Sequence, residues 1–339
     1  MKKSLLILLF TCWALFFAAF RPVMPFAAET AAFPDGTPVT GGRILMGTIG
    51  EPSNLIPYMA SDSASGEITG LLYVAPLKYD KDLNVVPWAA ASYEVLEGGR
   101  LLRFVLRDDI RWEDGVPLTA DDVEFTYKLM IDPKTPTAYS GDFLAIESFK
   151  KTGRLSFEVR YAKPFARSLM TWMGAILPKH VLEGQDIMTT PVARKPIGAG
   201  PYRLAKWDAG SMLTLTASDT YFEGRPNLDE VVYRIIPDPS TMFLELKAGK
   251  LDMMSLSPQQ YLRQTQGPQW ERDWRKYRYL SFSYTFLGFN LEHPFFKNAY
   301  AGPFRWPSIA SRLLTACCSG RACPRSGHTS RGHGPITTS

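Results

Sequence analysis

Three acidic pairs, Asp108-Asp109, Glu113-Asp114 and Asp121-Asp122, are the groups in this 339-residue chain whose spacing could serve acid–base chemistry. Each also reads as a turn or helix-cap carboxylate near basic neighbours. Gly198-Ala199-Gly200-Pro201-Tyr202 looks like a phosphate-cradling loop, but Pro201 points to a turn into a strand instead. Gly-x-Ser-x-Gly, His-Glu-x-x-His and Walker-type motifs are absent from the sequence. Before residue 299 the only histidines are His180 and His293, too few and too scattered for a zinc site or a Ser–His–Asp triad. Cys317, Cys318 and Cys323 lack the two-plus-two spacing of a metal site. The expectation is therefore no catalytic residue, no metal ligand and no cofactor. Aromatics make up 13% of the chain. Most of Trp88, Trp112, Trp172, Trp207, Trp270 and Trp274 should pack internally, with one or two left to line a ligand cleft.

The formal charge of +5 is unevenly placed. Residues 299–339 carry Arg305, Arg312, Arg321, Arg325 and Arg331, with no lysine and no acid. Residues 29–298 have 30 basic and 33 acidic side chains, a mildly acidic balance that removes the electrostatic basis for nucleic-acid binding. The N-terminus reads as an export signal over residues 1–28. Lys2 and Lys3 precede the apolar Leu5–Phe20 stretch, and Ala27-Ala28 follows as a cleavage site. Sixteen helical residues span about 24 Å, short of a hydrocarbon core of roughly 30 Å. Leu9-Phe10-Thr11-Cys12 lacks the small residues of a lipid-anchored cysteine. Export to the periplasm suits a body without cysteines.

The elements follow from pattern. Residues 29–42 are a flexible leader, and Arg43 to Ile49 is a strand. Glu51-Pro52-Ser53-Asn54-Leu55-Ile56-Pro57 is a loop, and Ser65 to Ala75 a helix. Ser92 to Asp108 is a hairpin turning at Glu97-Gly98-Gly99-Arg100, with Leu102, Phe104 and Leu106 on one face. A helix runs from the Thr119 cap, whose hydroxyl can accept from the Asp122 N–H, to Ile131. Leu155–Arg160 is a strand, Asp238-Pro239 opens a helix that Gly249 ends, and Leu251–Met254 and Tyr277–Asn290 are strands. Strands and helices mix, so the class is α/β.

The segment from Leu102 to Val123, Leu-Arg-Phe-Val-Leu-Arg-Asp-Asp-Ile-Arg-Trp-Glu-Asp-Gly-Val-Pro-Leu-Thr-Ala-Asp-Asp-Val, closely resembles the signature of family 5 extracellular solute-binding proteins. These are the oligopeptide-, dipeptide- and nickel-binding components of ABC importers. Glu51-Pro52 through Pro57, Gly198-x-Gly200-Pro201-Tyr202 and Tyr221-Phe222 to Pro237 resemble further family blocks. So do Leu246-x-x-Gly249-x-Leu251-Asp252 and Gly288-Phe289-Asn290.

The resemblance implies a two-lobed periplasmic-binding-protein-like fold, class II with an extra subdomain, closing on its solute without catalysis. The first lobe would span 43–275, with the subdomain at about 75–196. Hinge strands and the start of a second lobe would fill 276–298, leaving that lobe largely missing. The signature itself is structural, its Asp114-Gly115 turn and Thr119 cap fixing a hairpin against a helix. The implied ligand residues are Ser61, Asp62 and Ser63 beside a peptide backbone, the cleft aromatic Tyr139, and Ser255 and Tyr284 near the cleft and hinge. The implied partners are a peptide ligand and the importer's permease subunits in the membrane, with the binding protein a monomer. The same scaffold could instead take a nickel chelate, a sugar or an opine, and a secreted hydrolase is the more distant alternative.

After Phe296 the periodicity ends and residues 299–339 read as a disordered or non-native tail, as a frameshift near Asn298 would produce. The acid that captures a peptide's amino terminus lies, in the family, beyond this point, so the chain should bind weakly or not at all. The reading frames downstream of the Asn298 codon check this. One should encode the family's next helix, and its absence from both alternative frames would remove the frameshift.

Overall fold

The computed structural model describes residues 38–277, together with 290 and 292. The export signal, most of the leader, most of the Tyr277–Asn290 strand and the tail lie outside the described residues. The chain divides into two compact units, Met1–Met253 and Met254–Ser339. That division falls ahead of the boundary at 276 read from the resemblance.

In chain order the first unit contains β1 (Arg43–Thr48), α1 (Ser63–Leu72), β2 (Leu77–Tyr79), β3 (Val85–Pro87), β4 (Ala90–Leu96) and β5 (Leu101–Leu106). It continues with α2 (Ala120–Ile131), β6 (Ile146–Lys151), β7 (Ser156–Tyr161), β8 (Tyr202–Asp208), β9 (Met212–Ala217), β10 (Glu230–Ile235) and α3 (Pro239–Lys247). One four-stranded sheet has the order β1-β10-β9-β8, and its β1–β10 pair is parallel. A parallel pair needs a long crossover, and here nearly all of the intervening chain provides it. The second four-stranded sheet, β4-β5-β7-β6, is antiparallel throughout and is built from residues 90–161. β2 and β3 form a separate antiparallel ribbon.

The hairpin at residues 92–108 forms as its alternation demands. Leu102, Phe104 and Leu106 are buried and Arg103 and Val105 face solvent. Gly98 and Gly99 take positive φ at the turn between β4 and β5. Beneath this sheet the rings of Phe104 and Phe157 stack at 4.8 Å, Phe149 and Phe157 at 5.2 Å, and Trp172 closes on all three. Offset rings at these separations add to the area they bury.

The α2 helix starts where its cap places it. The Asp122 carboxylate accepts from the Thr119 N–H at 2.8 Å, and the Thr119 hydroxyl accepts from the Asp121 N–H at 3.3 Å. The expected Thr119–Asp122 pairing is therefore a reciprocal capping box. Buried Asp122 also accepts from the Lys179 N–H at 3.0 Å, and the Thr126 hydroxyl accepts from the Leu177 N–H at 2.9 Å. In this way α2 holds the 177–179 segment by its backbone.

The expected strand at Leu251–Met254 is only a single parallel bridge, Met46 to Met253. The Asp252 and Met253 N–H groups donate to the Leu45 carbonyl at 2.9 and 3.2 Å, the Gly47 N–H donates to the Met253 carbonyl at 3.2 Å, and the Asp252 carboxylate adds a bond from the Leu45 N–H at 2.7 Å. In the second unit a π-helical turn, Gln260–Gln264, precedes a short helix, Pro268–Asp273. Among the described residues no helix is long and apolar enough to cross a membrane.

Backbone packs on backbone at Gly198 and Gly200. A Cβ at Gly198 would lie 1.9 Å from the Leu72 carbonyl oxygen, and one at Gly200 would lie 2.4 Å from that of Leu71. The Gly200 N–H donates to the Leu72 carbonyl at 2.9 Å, and the Gly198 carbonyl accepts from the Glu113 N–H at 2.8 Å. Gly200→Ala is expected to destabilise the chain by at least about 3 kcal/mol, at or above the usual cost of overpacking. Gly141→Ala, where a Cβ meets nothing within 4 Å, should be near neutral. Urea unfolding of the two variants checks the contrast.

Candidate functional site

The first unit contains a cavity of about 370 Å³, at the low end of the roughly 300–1,000 Å³ typical of small-molecule sites. Its walls come from the 54–60 loop, one face of α1, residues 73–75, Trp88, Tyr139 and residues 173–175.

The walls are held by hydrogen bonds, some local in sequence and others long-range. Asp62 caps α1, accepting from the Ser65 N–H at 2.7 Å and the Ser65 hydroxyl at 2.8 Å. The Ser53 hydroxyl donates to the same carboxylate at 2.6 Å, and the Ser65 hydroxyl accepts from the Ser53 N–H at 3.0 Å. Burial pushes the Asp62 carboxyl up, but these donors from Ser53 and Ser65 outweigh it and hold it below its ordinary range. Asn54 folds its side-chain oxygen onto the Ile56 N–H at 2.7 Å, and Glu51 fastens the start of the loop to the Trp207 indole N–H at 2.9 Å. The Ile176 N–H donates to the Val74 carbonyl at 2.8 Å, which ties the 173–175 wall to the end of α1.

Tyr58 is the strained member. It has φ of +73°, a conformation L side chains rarely adopt. Its carbonyl accepts from the Thr137 hydroxyl at 2.7 Å, and its own hydroxyl donates to the Ala175 carbonyl at 2.8 Å. Its ring meets Tyr139 edge-on at 5.9 Å and Phe143 at 6.0 Å. A Cβ at Gly174 would lie 2.2 Å from the Tyr58 hydroxyl, so this wall requires glycine. Burial pushes the Tyr58 hydroxyl well above the ordinary tyrosine range, so it stays a neutral donor. Trp88 is positioned by its indole N–H, which donates to the Tyr221 hydroxyl at 2.9 Å, while Lys78 lies 5.2 Å over its ring.

Of the residues implied by the resemblance, Tyr139 lines the cavity and is 46% exposed. Ser61, Asp62 and Ser63 are adjacent to it, since the lining stops at Ala60 and resumes at Ser65; Ser61 and Ser63 are exposed, and Asp62 is the helix cap. Ser255 is exposed and belongs to the second unit, and Tyr284 lies outside the described residues. Sequence reading missed Tyr58, Gly66, Thr69 and Gly70. The one local signal is that Gly66 and Gly70 fall four apart on one face of a helix.

The acidic pairs resolve as structural groups. Asp109 pairs with Arg107 at 2.6 Å, Asp121 pairs with Lys151, and Asp114 meets the His180 Nε2 at 2.7 Å. Glu113 stands apart. Burial pushes its carboxyl from an ordinary 4.5 up to about 7, with Arg203 opposing and Asp114 adding to the shift.

A family described as bacterial extracellular solute-binding proteins, family 5 Middle, matches residues 84–300. The chain belongs to this family. The oligopeptide-binding protein AppA of Bacillus subtilis is 31% identical over 269 residues, covering 78% of this chain and 49% of AppA. The solved AppA structure, in complex with a nonapeptide, superposes with a TM-score of 0.63 at 32% identity, covering 66% of this chain and 46% of that one. NikZ from Campylobacter jejuni in complex with Ni(L-His) superposes with a TM-score of 0.61 at 26% identity, covering 65% and 44%. The mixed α/β fold read from the sequence is thus that of family 5 binding proteins, and the signature resemblance and the family match agree. The chain spans about half the length of the curated relatives it matches.

Glu113 yields a pH dependence. Its folded-state pKa lies above its unfolded value, so the folded chain binds the proton more tightly. Stability from this group is complete at low pH and is lost as pH rises from about 4.5 to about 7. Glu113→Gln should flatten that slope. Glu113 is exposed as a residue, so solvent screens most of this dependence, and at pH 8 the variant should be more stable than the parent by less than about 1 kcal/mol. Thermal melts of both proteins from pH 4 to 8 check it.

Proposed function

We propose that this chain is the solute-binding component of an ABC importer and that its solute is a peptide. The observation that carries the reading is the cavity of the first unit, walled by Tyr58, Trp88, Tyr139 and the glycine-bearing face of α1, on a fold shared with AppA in its nonapeptide complex. Aromatic and backbone walls suit a ligand whose side chains vary. The protein acts in the periplasm, exported by the residue 1–28 signal, as a monomer that delivers solute to membrane permease subunits. It carries out no catalysis and takes no cofactor. Carboxylates that hold the cavity's frame support that view, because Asp62, Glu51 and Glu223 are already engaged by backbone and side-chain donors.

A second reading, a metal chelate as solute, draws on the likeness to NikZ in complex with Ni(L-His). Native mass spectrometry separates the two. The full chain is incubated with a mixture of di- to pentapeptides and, separately, with Ni(L-His). The expected result is retention of peptides with their masses unchanged. Retention of the chelate alone would move the assignment to the second reading. Cleaved peptides would revive a hydrolase, and retention of neither would remove solute binding by this chain.

A further inference from the structure

The α1 helix has two glycines that its own stability does not explain. Gly66 and Gly70 sit inside the helix, where glycine is less favourable than alanine. Neither has the positive φ that would demand glycine. Among the described residues neither is forced by packing, since a Cβ at either position would meet none of their atoms within 4 Å. Both line the cavity of the first unit, so what their missing side chains leave open is cavity space against the helix backbone. The remaining walls are uncharged, with aromatic rings at Tyr58, Trp88 and Tyr139, and no charged residue is among the lining. An ammonium or carboxylate entering this half-open space would find no opposite charge among the lining side chains, and Lys78 and Glu223 behind Trp88 already pair with each other. An apolar side chain or ring would be covered by aromatic and aliphatic surface.

We infer that the cavity receives one uncharged side chain of the solute, aromatic or long aliphatic, and that Gly66 and Gly70 are the specificity-determining residues that set its depth. The inference rests on the solute-binding reading above and narrows its substrate class.

Saturation-transfer NMR on the full chain tests it with two sets of probes. The first set is p-cresol and indole, with propylammonium and propionate as charged counterparts. The second is the tripeptides Ala-Phe-Ala, Ala-Leu-Ala, Ala-Lys-Ala and Ala-Glu-Ala. The variants are Gly66→Leu and Gly70→Leu, which fill the space while improving helix propensity, so their melting temperatures should be no lower than the parent's. Expected are strong transfer to p-cresol, indole, Ala-Phe-Ala and Ala-Leu-Ala, little to the charged probes, and at least a tenfold loss for the aromatic probes in one or both leucine variants. Equal transfer to the charged probes, or aromatic transfer unchanged in both variants, would overturn the assignment. Transfer to p-cresol without any to the tripeptides would leave the cavity assignment standing and remove the peptide reading. Tripeptide transfer indifferent to the leucine variants would do the reverse.

Discussion

The close approach of the Gly198-Ala199-Gly200 backbone to the last carbonyls of α1 is the constraint on which the site depends. Those carbonyls would otherwise be unpaired at a buried helix end, and the Gly200 N–H satisfies the one on Leu72. A side chain at either glycine would collide with main chain, which cannot move aside as a flexible side chain could. The same segment receives the Glu113 N–H from the signature turn, where Gly115 has φ of +89°. The most recognisable stretch of the sequence thus meets the helix that walls the cavity without contributing a lining residue. The signature is legible because it is structural, linked to the end of α1 through backbone hydrogen bonds at Gly198 and Gly200.

Charge and glycine are used differently in the site and around it. Acids near the cavity are employed in holding its frame: Asp62 caps α1, Glu51 fixes the loop, and Asp122 supports the 177–179 segment. The cavity itself is left neutral. A tyrosine at positive φ and two glycines inside a helix lie on its walls, while Leu83 and Glu97 take positive φ at turns away from it. Locally unfavourable choices that persist where a ligand would sit are what a functional surface is expected to show.

Most of the fold could be read from pattern. The β4–β5 hairpin, the α2 capping box and the Asp238-capped α3 follow from alternation, a cap residue and a proline at the first helical position. The extent of the Leu251–Met254 strand could not be judged that way, because its pairing with β1 is one short bridge supplemented by the Asp252 side chain, a long-range contact that local propensity does not encode. The site was less legible. Tyr139 was named from the resemblance and lines the cavity, whereas Asp62 serves as the helix cap. Tyr58 is placed by contacts far apart in sequence, Thr137 to Tyr58 and Tyr58 to Ala175, which no local period announces, and the spacing of Gly66 and Gly70 does not by itself say what they face.

The most direct measurement is a crystal structure of the full chain soaked with Ala-Phe-Ala. The account expects density for the phenyl ring inside the first unit, against the backbone at Gly66 and Gly70 and between Tyr58 and Tyr139. A peptide bound elsewhere on the chain, with that cavity filled only by water, would contradict it.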